Sequence, residues 1–263
     1  MLADLTTITP LSQEQIKQTA PSVFTKHGSN TVSDKYTHIP TSRVMEDMSA
    51  LGWDVVDVKE IKARKNQGFQ KHMLVFSNPE IVITGADGDT VFPRILLTNS
   101  HDGKNAFTFQ AGLYRLVCSN GLVIADEEFN SMKIRHMGYD FEALQLLITQ
   151  MVEKLPLTVE SMNKFKTKQL TQAQKEQFAL EALGLRFDAE GKTFNVDEFL
   201  TPTRKEDQGD DLWSIYNVVQ EKLVNGMFQY GSGFKIRKAR KIKNFQQDIT
   251  LNADLYKLAL QYA

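Results

Sequence analysis

Two stretches of this chain combine residue types that could do chemistry. The first is Asn99-Ser100-His101-Asp102-Gly103, which follows the apolar run Ile95-Leu96-Leu97. An imidazole beside a carboxylate suits general acid–base work or metal ligation. Asn, Ser, Asp and Gly are also the residues of tight turns, through side-chain-to-backbone hydrogen bonds and access to positive φ. We read the segment as a hairpin turn with His101 satisfied locally. The acid–base or metal alternative lacks a second ligand pair at diagnostic spacing, because His38, His72 and His136 are scattered along the chain. No catalytic residue, metal ligand or cofactor is therefore assigned. Cys118 sits in an apolar run beside Asn120-Gly121. A catalytic thiolate would need a base and an electropositive setting, and His101 could supply the base across a hairpin. A buried structural thiol is the simpler reading.

The second stretch runs from Lys235 to Lys243 and holds six basic residues in nine: Lys235, Arg237, Lys238, Arg240, Lys241 and Lys243. Phe234 and Phe245 stand at its edges, and Gly231-Ser232-Gly233 before it suggests a flexible arm outside the main sheet. Clustered cations neutralise phosphates, and neighbouring aromatic faces can stack unpaired bases. Arg94, Arg115, Lys133 and Arg135 fall in or beside the strand-rich region, where alternation can place several on one face. The candidate nucleic-acid contacts are thus the six cations of the basic run, Phe234, Arg94, Arg115 and Arg135.

Whole-chain composition limits the alternatives. The net charge of −1 carries no global signal for nucleic acid or membrane, so basic surface must come from local clustering. A hydrophobic content of 41% with 24% charged residues, over 263 residues, is that of a chain able to bury a full core. A single cysteine forms no internal disulfide, the N-terminus reads as no signal peptide, and no run approaches a membrane span, so a cytoplasmic protein is expected. There is no Gly-x-x-x-x-Gly-Lys-Ser/Thr, Gly-x-Gly-x-x-Gly or Gly-x-Ser-x-Gly, so ATPase, dinucleotide and serine-hydrolase chemistry lack motif support.

The elements that must position these residues are legible from periodicity. Ser12 to Gln15 has capping-box spacing before a helix stopped by Pro21. A second helix is predicted from Thr41 or Ser42 to Gly52, burying Val44, Met48 and Leu51. From Trp53 to about Arg135 the period shortens. Val56, Val58, His72 to Phe76, Ile81 to Thr84, Phe92 to Thr98, Ala106 to Gln110 and Leu113 to Ile124 read as strands, separated by Asp87-Gly88, Asp102-Gly103 and Asn120-Gly121. Helices return from Phe141 to Leu155, stopping before Pro156, then Thr158 to Lys168, Thr171 to Leu183, Asp211 to Asn225 and Asn252 to Tyr262. Phe187 to Thr203 and Lys205 to Gly209 read as polar connectors. The class is α+β: a central, mostly antiparallel sheet over about residues 53–135, packed by N- and C-terminal helices. A main domain over 1–200 is expected, with the helices and basic arm of 201–263 packed on it.

The motif Asn99-Ser100-His101-Asp102-Gly103, followed by Tyr114-Arg115-Leu116-Val117-Cys118-Ser119-Asn120-Gly121, resembles that of domain-of-unknown-function family 932. The resemblance extends to Pro21-Ser22-Val23-Phe24, Tyr36, Ile39-Pro40-Thr41, Lys71-His72-Met73-Leu74, Thr201-Pro202, Arg204, Asp211-Leu212-Trp213 and Val219-Gln220-Glu221. It implies residence on phages, prophages and conjugative plasmids, and no catalytic residues. With the basic run, it leads us to expect a non-enzymatic protein that binds single-stranded DNA or RNA in a bacterial host cell. Such a protein could be a homo-oligomeric strand-annealing recombination protein, and the sheet-and-helix plan would suit a fold similar to the ring-forming annealing proteins. The alternatives are a counter-defence protein that binds a host protein or a signalling nucleotide and, last, a nuclease or nucleotide-processing enzyme using His101 and Asp102.

Overall fold

Helical period gives way to strand period at Trp53, and the structure changes there too. The structure, a computed structural model, describes residues 9–33, 36–62, 67–84, 90–105, 107–115, 121–123, 132–134, 140–188 and 190–263. Its elements fall into two compact units, the first taking the chain up to Leu155 and the second running from Pro156 onward together with a short stretch around residue 121. The sequence-based boundary at residue 200 falls inside the second unit.

The first unit opens with α1 (Gln13–Thr19), held by the expected capping box. Gln15 N–H donates to Ser12 Oγ at 3.3 Å, and Ser12 N–H donates to Gln15 Oε1 at 2.8 Å. A short 3₁₀ turn (Pro21–Phe24) leads towards α2 (Thr41–Ala50), which buries Val44, Met45 and Met48; Leu51 is only half-buried at its C-cap. The strands are β1 (Asp54–Glu60), β2 (His72–Ser77), β3 (Ile83–Thr84), β4 (Thr90–Asn99) and β5 (Phe107–Arg115). β1, β2, β4 and β5 lie in that order, every pair antiparallel, and β3 also pairs with β4. All six residues of β2 are buried, which explains its unbroken His-Met-Leu-Val-Phe-Ser run.

The second unit contains β6 (Gly121–Val123), while β7 (Met132–Ile134) pairs with β5 in the first. The sequence pattern predicts a break between Gln110 and Leu113, yet β5 runs through it, with Gly112 directly opposite Arg94 of β4. A glycine weakens a strand but does not end it where a neighbour supplies the ladder hydrogen bonds.

One long helix, α3 (Phe141–Thr167), replaces the two predicted around Pro156. Proline removes one intrahelical bond, but the buried stripe Leu144, Leu147, Ile148, Met151, Leu155 continues in register through Val159, Met162 and Phe165. Next come α4 (Gln172–Gly184), β8 (Lys192–Phe194), α5 (Val196–Leu200), α6 (Leu212–Asn225), β9 (Gln229–Ser232), β10 (Lys235–Lys238) and α7 (Phe245–Leu260). The stretch read as a polar connector thus holds both β8 and α5. The last helix starts seven residues before the predicted Asn252, because Asn244 Oδ1 caps it by accepting from the Gln246 and Gln247 N–H groups at 2.9 and 3.4 Å. Phe245 is consequently a buried first-turn residue, not an aromatic edge of the basic run.

Helix α6 is the centre of the second unit, with every residue from Leu212 to Leu223 buried. Its polar members are matched: Gln220 donates to Asn252, Glu221 accepts from Thr203 and Arg204, and the Lys222 ammonium donates to the Glu198 carbonyl. Burial lowers the Lys222 pKa, with Glu198 and Glu221 opposing the shift. Asp211 caps the start of α6 by accepting from Ser214 N–H at 2.9 Å. The helix ends at Gly226, in the left-handed region with φ 68°. There the backbone of Ala239 and Arg240 passes so closely that a Cβ on Gly226 would lie 2.5 to 2.7 Å from it.

Gly226→Ala is therefore expected to cost more than the ~1–2 kcal/mol of left-handed strain alone. Gly191, at φ 67° with open space around it, provides the control. Urea midpoints should fall clearly further for Gly226→Ala than for Gly191→Ala; equal shifts would show that the chain after β10 yields to the added methyl.

Candidate functional site

In the first unit the Asn99–Gly103 segment belongs to a buried polar core. Asn99, Ser100 and His101 are fully buried, and so are Ser22, Thr41 and His72, which spacing alone does not connect to them. Thr41 Oγ1 is the hub, lying 2.9 Å from His72 Nε2, 3.0 Å from Asn99 Nδ2 and 3.4 Å from His101 Nε2. Its chemistry sets the direction of every proton. On its other nitrogen, His72 Nδ1 lies 3.0 Å from the Gln70 carbonyl, which can only accept, so Nδ1 carries the proton and shares it with Ser22 Oγ at 2.7 Å. His72 Nε2 is then an acceptor, and Thr41 must give it the one hydroxyl proton it has. The two lone pairs of Thr41 are left for Asn99 N–H and His101 Nε2–H, which saturates the hydroxyl.

His38, also far away in sequence, packs at a tilt of 56° and 4.6 Å against the His101 ring, which also lies 5.3 Å from the His72 ring. The His101 backbone is tied as well, donating to the Phe69 carbonyl and accepting from Ser29 N–H at 2.8 Å. Asp102 completes the turn, as Oδ1 accepts from Ser100 Oγ at 2.7 Å and from Lys104 N–H at 3.1 Å. Gly103 has φ 72°, and a Cβ there would lie 3.1 Å from Val32 Cγ1. Asp102 also adds to the burial that raises the Tyr36 pKa and opposes the burial that lowers that of Lys71. The histidines scattered in sequence thus converge as an architectural core. Among the described residues no group of three or more His, Cys, Asp or Glu is arranged to hold a metal ion.

In the second unit the basic run is not a flexible arm. Lys235 to Lys238 form β10, the edge of a three-stranded antiparallel sheet in the order β10-β9-β8. The strand is joined to β9 by a two-residue turn in which Gly233 takes φ 58°. Gly-Ser-Gly preceding a charged run reads equally well as linker or hairpin, and only the pairing decides between them. Beyond β10 the chain is anchored: Ala239 and Ile242 are buried, donating backbone N–H to the Phe228 and Val224 carbonyls at 3.0 and 2.9 Å. The Arg186 guanidinium bonds the carbonyls of both Leu223 and Arg240. On this base Lys235, Arg237, Lys238, Arg240, Lys241 and Lys243 are all exposed. Among the described residues none of the six forms an ion pair.

The sheet register adds residues that sequence reasoning missed. Arg237 is opposite Tyr230, which is opposite Phe194, and two residues along, on the same face, the row is Lys235, Ser232, Lys192. Cross-strand partners share a face, so Lys192 joins Lys235 and Arg237 beside the Phe194 and Tyr230 rings, which lie 6.0 Å apart and are half-buried. Phe187 packs on both rings, at 5.9 and 5.2 Å. Phe234 at the hairpin tip is fully exposed at 111%, and Ile236 is 78% exposed.

The remaining candidates lie elsewhere. Arg94 is buried in β4 at 6% exposure, between Ser77 of β2 and Gly112 of β5, which is no place to meet a phosphate. Arg115 ends β5 opposite Val91, and Lys133 is opposite Thr108. Gly121 opens β6, while Cys118, Asn120, Arg135 and His136 lie outside the described residues. The described helices include none long and apolar enough to cross a membrane.

Fold and sites together define an α+β protein with a histidine-centred polar core in one unit and an exposed cationic hairpin in the other. The chain belongs to the family described as Domain of unknown function (DUF932), which matches residues 28–256. It is similar to two proteins of Escherichia coli (strain K12), UPF0380 protein YafZ and UPF0380 protein YfjQ. Identity is 29% and 28% over 257 residues, covering 95% of this chain and 90% of each relative. No solved structure matches the chain, so the comparison with ring-forming annealing proteins finds no support.

Two outcomes are expected of the buried core. Burial lowers the His72 pKa to about 4 from its ordinary 6.5. The unfolded chain therefore binds the extra proton first, and stability should fall as pH drops from about 6.5 towards 4, by on the order of 3 kcal/mol over the window. Urea melts at pH 7, 5.5 and 4.5 on wild type and His72→Gln would isolate that contribution. His101→Ala, which empties a buried site and removes one of the two donors to Thr41, should cost at least about 2 kcal/mol in the same melts. A His101→Ala protein of native stability would overturn the architectural reading of the histidine core.

Proposed function

We propose that this protein binds single-stranded nucleic acid through the β9–β10 hairpin and the chain that follows it. The reading rests on one observation: six exposed cations, without ion-pair partners among the described residues, follow a fully exposed phenylalanine along an ordered strand and its anchored extension. In a chain of net charge −1 this is a local field, and a local field of this kind attracts polyanions. Alternation in β10 puts Lys235 and Arg237 on one face and Ile236 and Lys238 on the other. A strand of phosphates tracking the sheet edge would thus meet cations on both sides. Binding of this type needs no metal or cofactor, since counterion release supplies the affinity. A strand-annealing role, homo-oligomeric assembly and a cytoplasmic location in a phage or plasmid setting go with the reading and are proposed with it.

The quadruple replacement of Arg237, Lys238, Arg240 and Lys241 by Gln should weaken binding of a labelled homopolymeric single strand while leaving the thermal melt intact. Each lost phosphate contact should flatten the plot of log affinity against log salt by ~0.7, up to about 3 for all four. Fluorescence anisotropy across a salt series reads both. Unchanged affinity and slope in the folded variant would remove the hairpin from the interface, and no wild-type binding at low salt would defeat the function.

A further inference from the structure

We propose that Phe234 is a base-inserting residue, so that the hairpin's ligand is a nucleic acid with unstacked bases: a single strand, or the single-stranded side of a strand junction. This rests on the reading of the hairpin as a nucleic-acid surface. The two-residue turn between Ser232 and Lys235 requires a glycine at Gly233, where φ is 58°, but places no demand for an aromatic ring on the next position. Phe234 nevertheless occupies it, 111% exposed and in no ring contact among the described residues, with Ile236 at 78% exposure two residues on. An apolar ring held in water at the tip of an anchored hairpin is available to a ligand without any rearrangement of the core.

The chemistry of that ligand is narrowed by the neighbours of the ring. Lys235, Arg237 and Lys238 flank the apolar tip, so a second copy approaching tip to tip would meet like charge. The ligand must be anionic and must also offer flat apolar faces, which nucleobases do between their phosphates. Duplex and single strand are separated by energy. Prying open a paired step costs more than one ring recovers by stacking, whereas an unpaired base is already free to stack. The duplex interior is then held by phosphate contacts alone, and Phe234 confers the preference for unpaired strands.

Phe234→Ala and Phe234→Trp test this on the full chain, and neither touches the core. The native tryptophans Trp53 and Trp213 are buried, at 2% and 4% exposure, so a tryptophan at position 234 reports the tip. The expected result is a roughly 5- to 150-fold weaker binding of single strands by Phe234→Ala, corresponding to the ~1–3 kcal/mol of one base–aromatic stack. Duplex affinity and salt slope should stay unchanged, and single strands should quench the emission of Phe234→Trp. Wild-type single-strand affinity in Phe234→Ala, alongside weakened binding in the quadruple cation variant, would overturn base insertion while leaving the function standing. An equal loss on duplex would overturn the preference for unstacked bases. No nucleic-acid binding by the wild type would overturn both proposals. A Phe234→Trp signal with phosphatidylserine–phosphatidylcholine vesicles and none with oligonucleotides would overturn it in favour of a lipid surface.

Discussion

The first unit depends on a single hydroxyl that can be satisfied in only one way. Thr41 Oγ1 has one proton and two lone pairs, and three buried groups from different parts of the chain use all three: His72 of β2, Asn99 at the end of β4, and His101 in the turn after it. A buried polar group without a partner costs on the order of 1–3 kcal/mol, so the network holds only when α2, β2 and β4 are all in register. That requirement gives the Asn-Ser-His-Asp-Gly segment its meaning. Asp102 and Gly103 shape the turn, while Asn99 and His101 lock it to the start of α2. Thr41 is free for this because the backbone at Pro40, not a side-chain cap, starts the helix.

The second unit is organised differently. Its buried helix α6 keeps polar residues on several sides, each tied to a neighbouring element: Gln220 to α7, Glu221 to the segment before α6, Lys222 to α5. Arg204, Asp211, Trp213, Gln220 and Glu221 are explained by this: Arg204 pairs with Glu221, Asp211 caps α6, Trp213 stacks on Tyr216 at 5.9 Å, and Gln220 donates to Asn252. The end of α6 then acts as a seat for the basic segment, through Gly226, the Val224 carbonyl and the Arg186 fork. The cations are thus displayed from a fixed base. Their position on an edge strand has a second consequence, since a row of lysine and arginine also blocks edge-to-edge pairing between sheets.

Local physics made much of this legible. The capping box at Ser12, the helices that begin at Thr171 and Asp211 and the strand-rich middle all follow from side-chain inventories and periodicity. Misreadings arose where a local signal competed with packing. Pro156 does not end α3 because the apolar stripe on either side keeps one phase. Gly112 does not break β5 because β4 is its partner, and Gly-Ser-Gly is a hairpin and not a linker because β8 and β9 extend the pairing.

By itself the sequence determined the α+β class, the family, the element types and the concentration of six cations within nine residues, because composition, period and turn chemistry are properties of neighbours along the chain. Only tertiary structure decided which histidines meet. His38, His72 and His101 carry no common spacing, and what unites them is that the antiparallel register of β2 and β4 brings His72 opposite Asn99. It likewise decided that Arg94 is buried while Phe234 is bare, because exposure depends on what the rest of the chain places over a residue, and no local pattern contains that information.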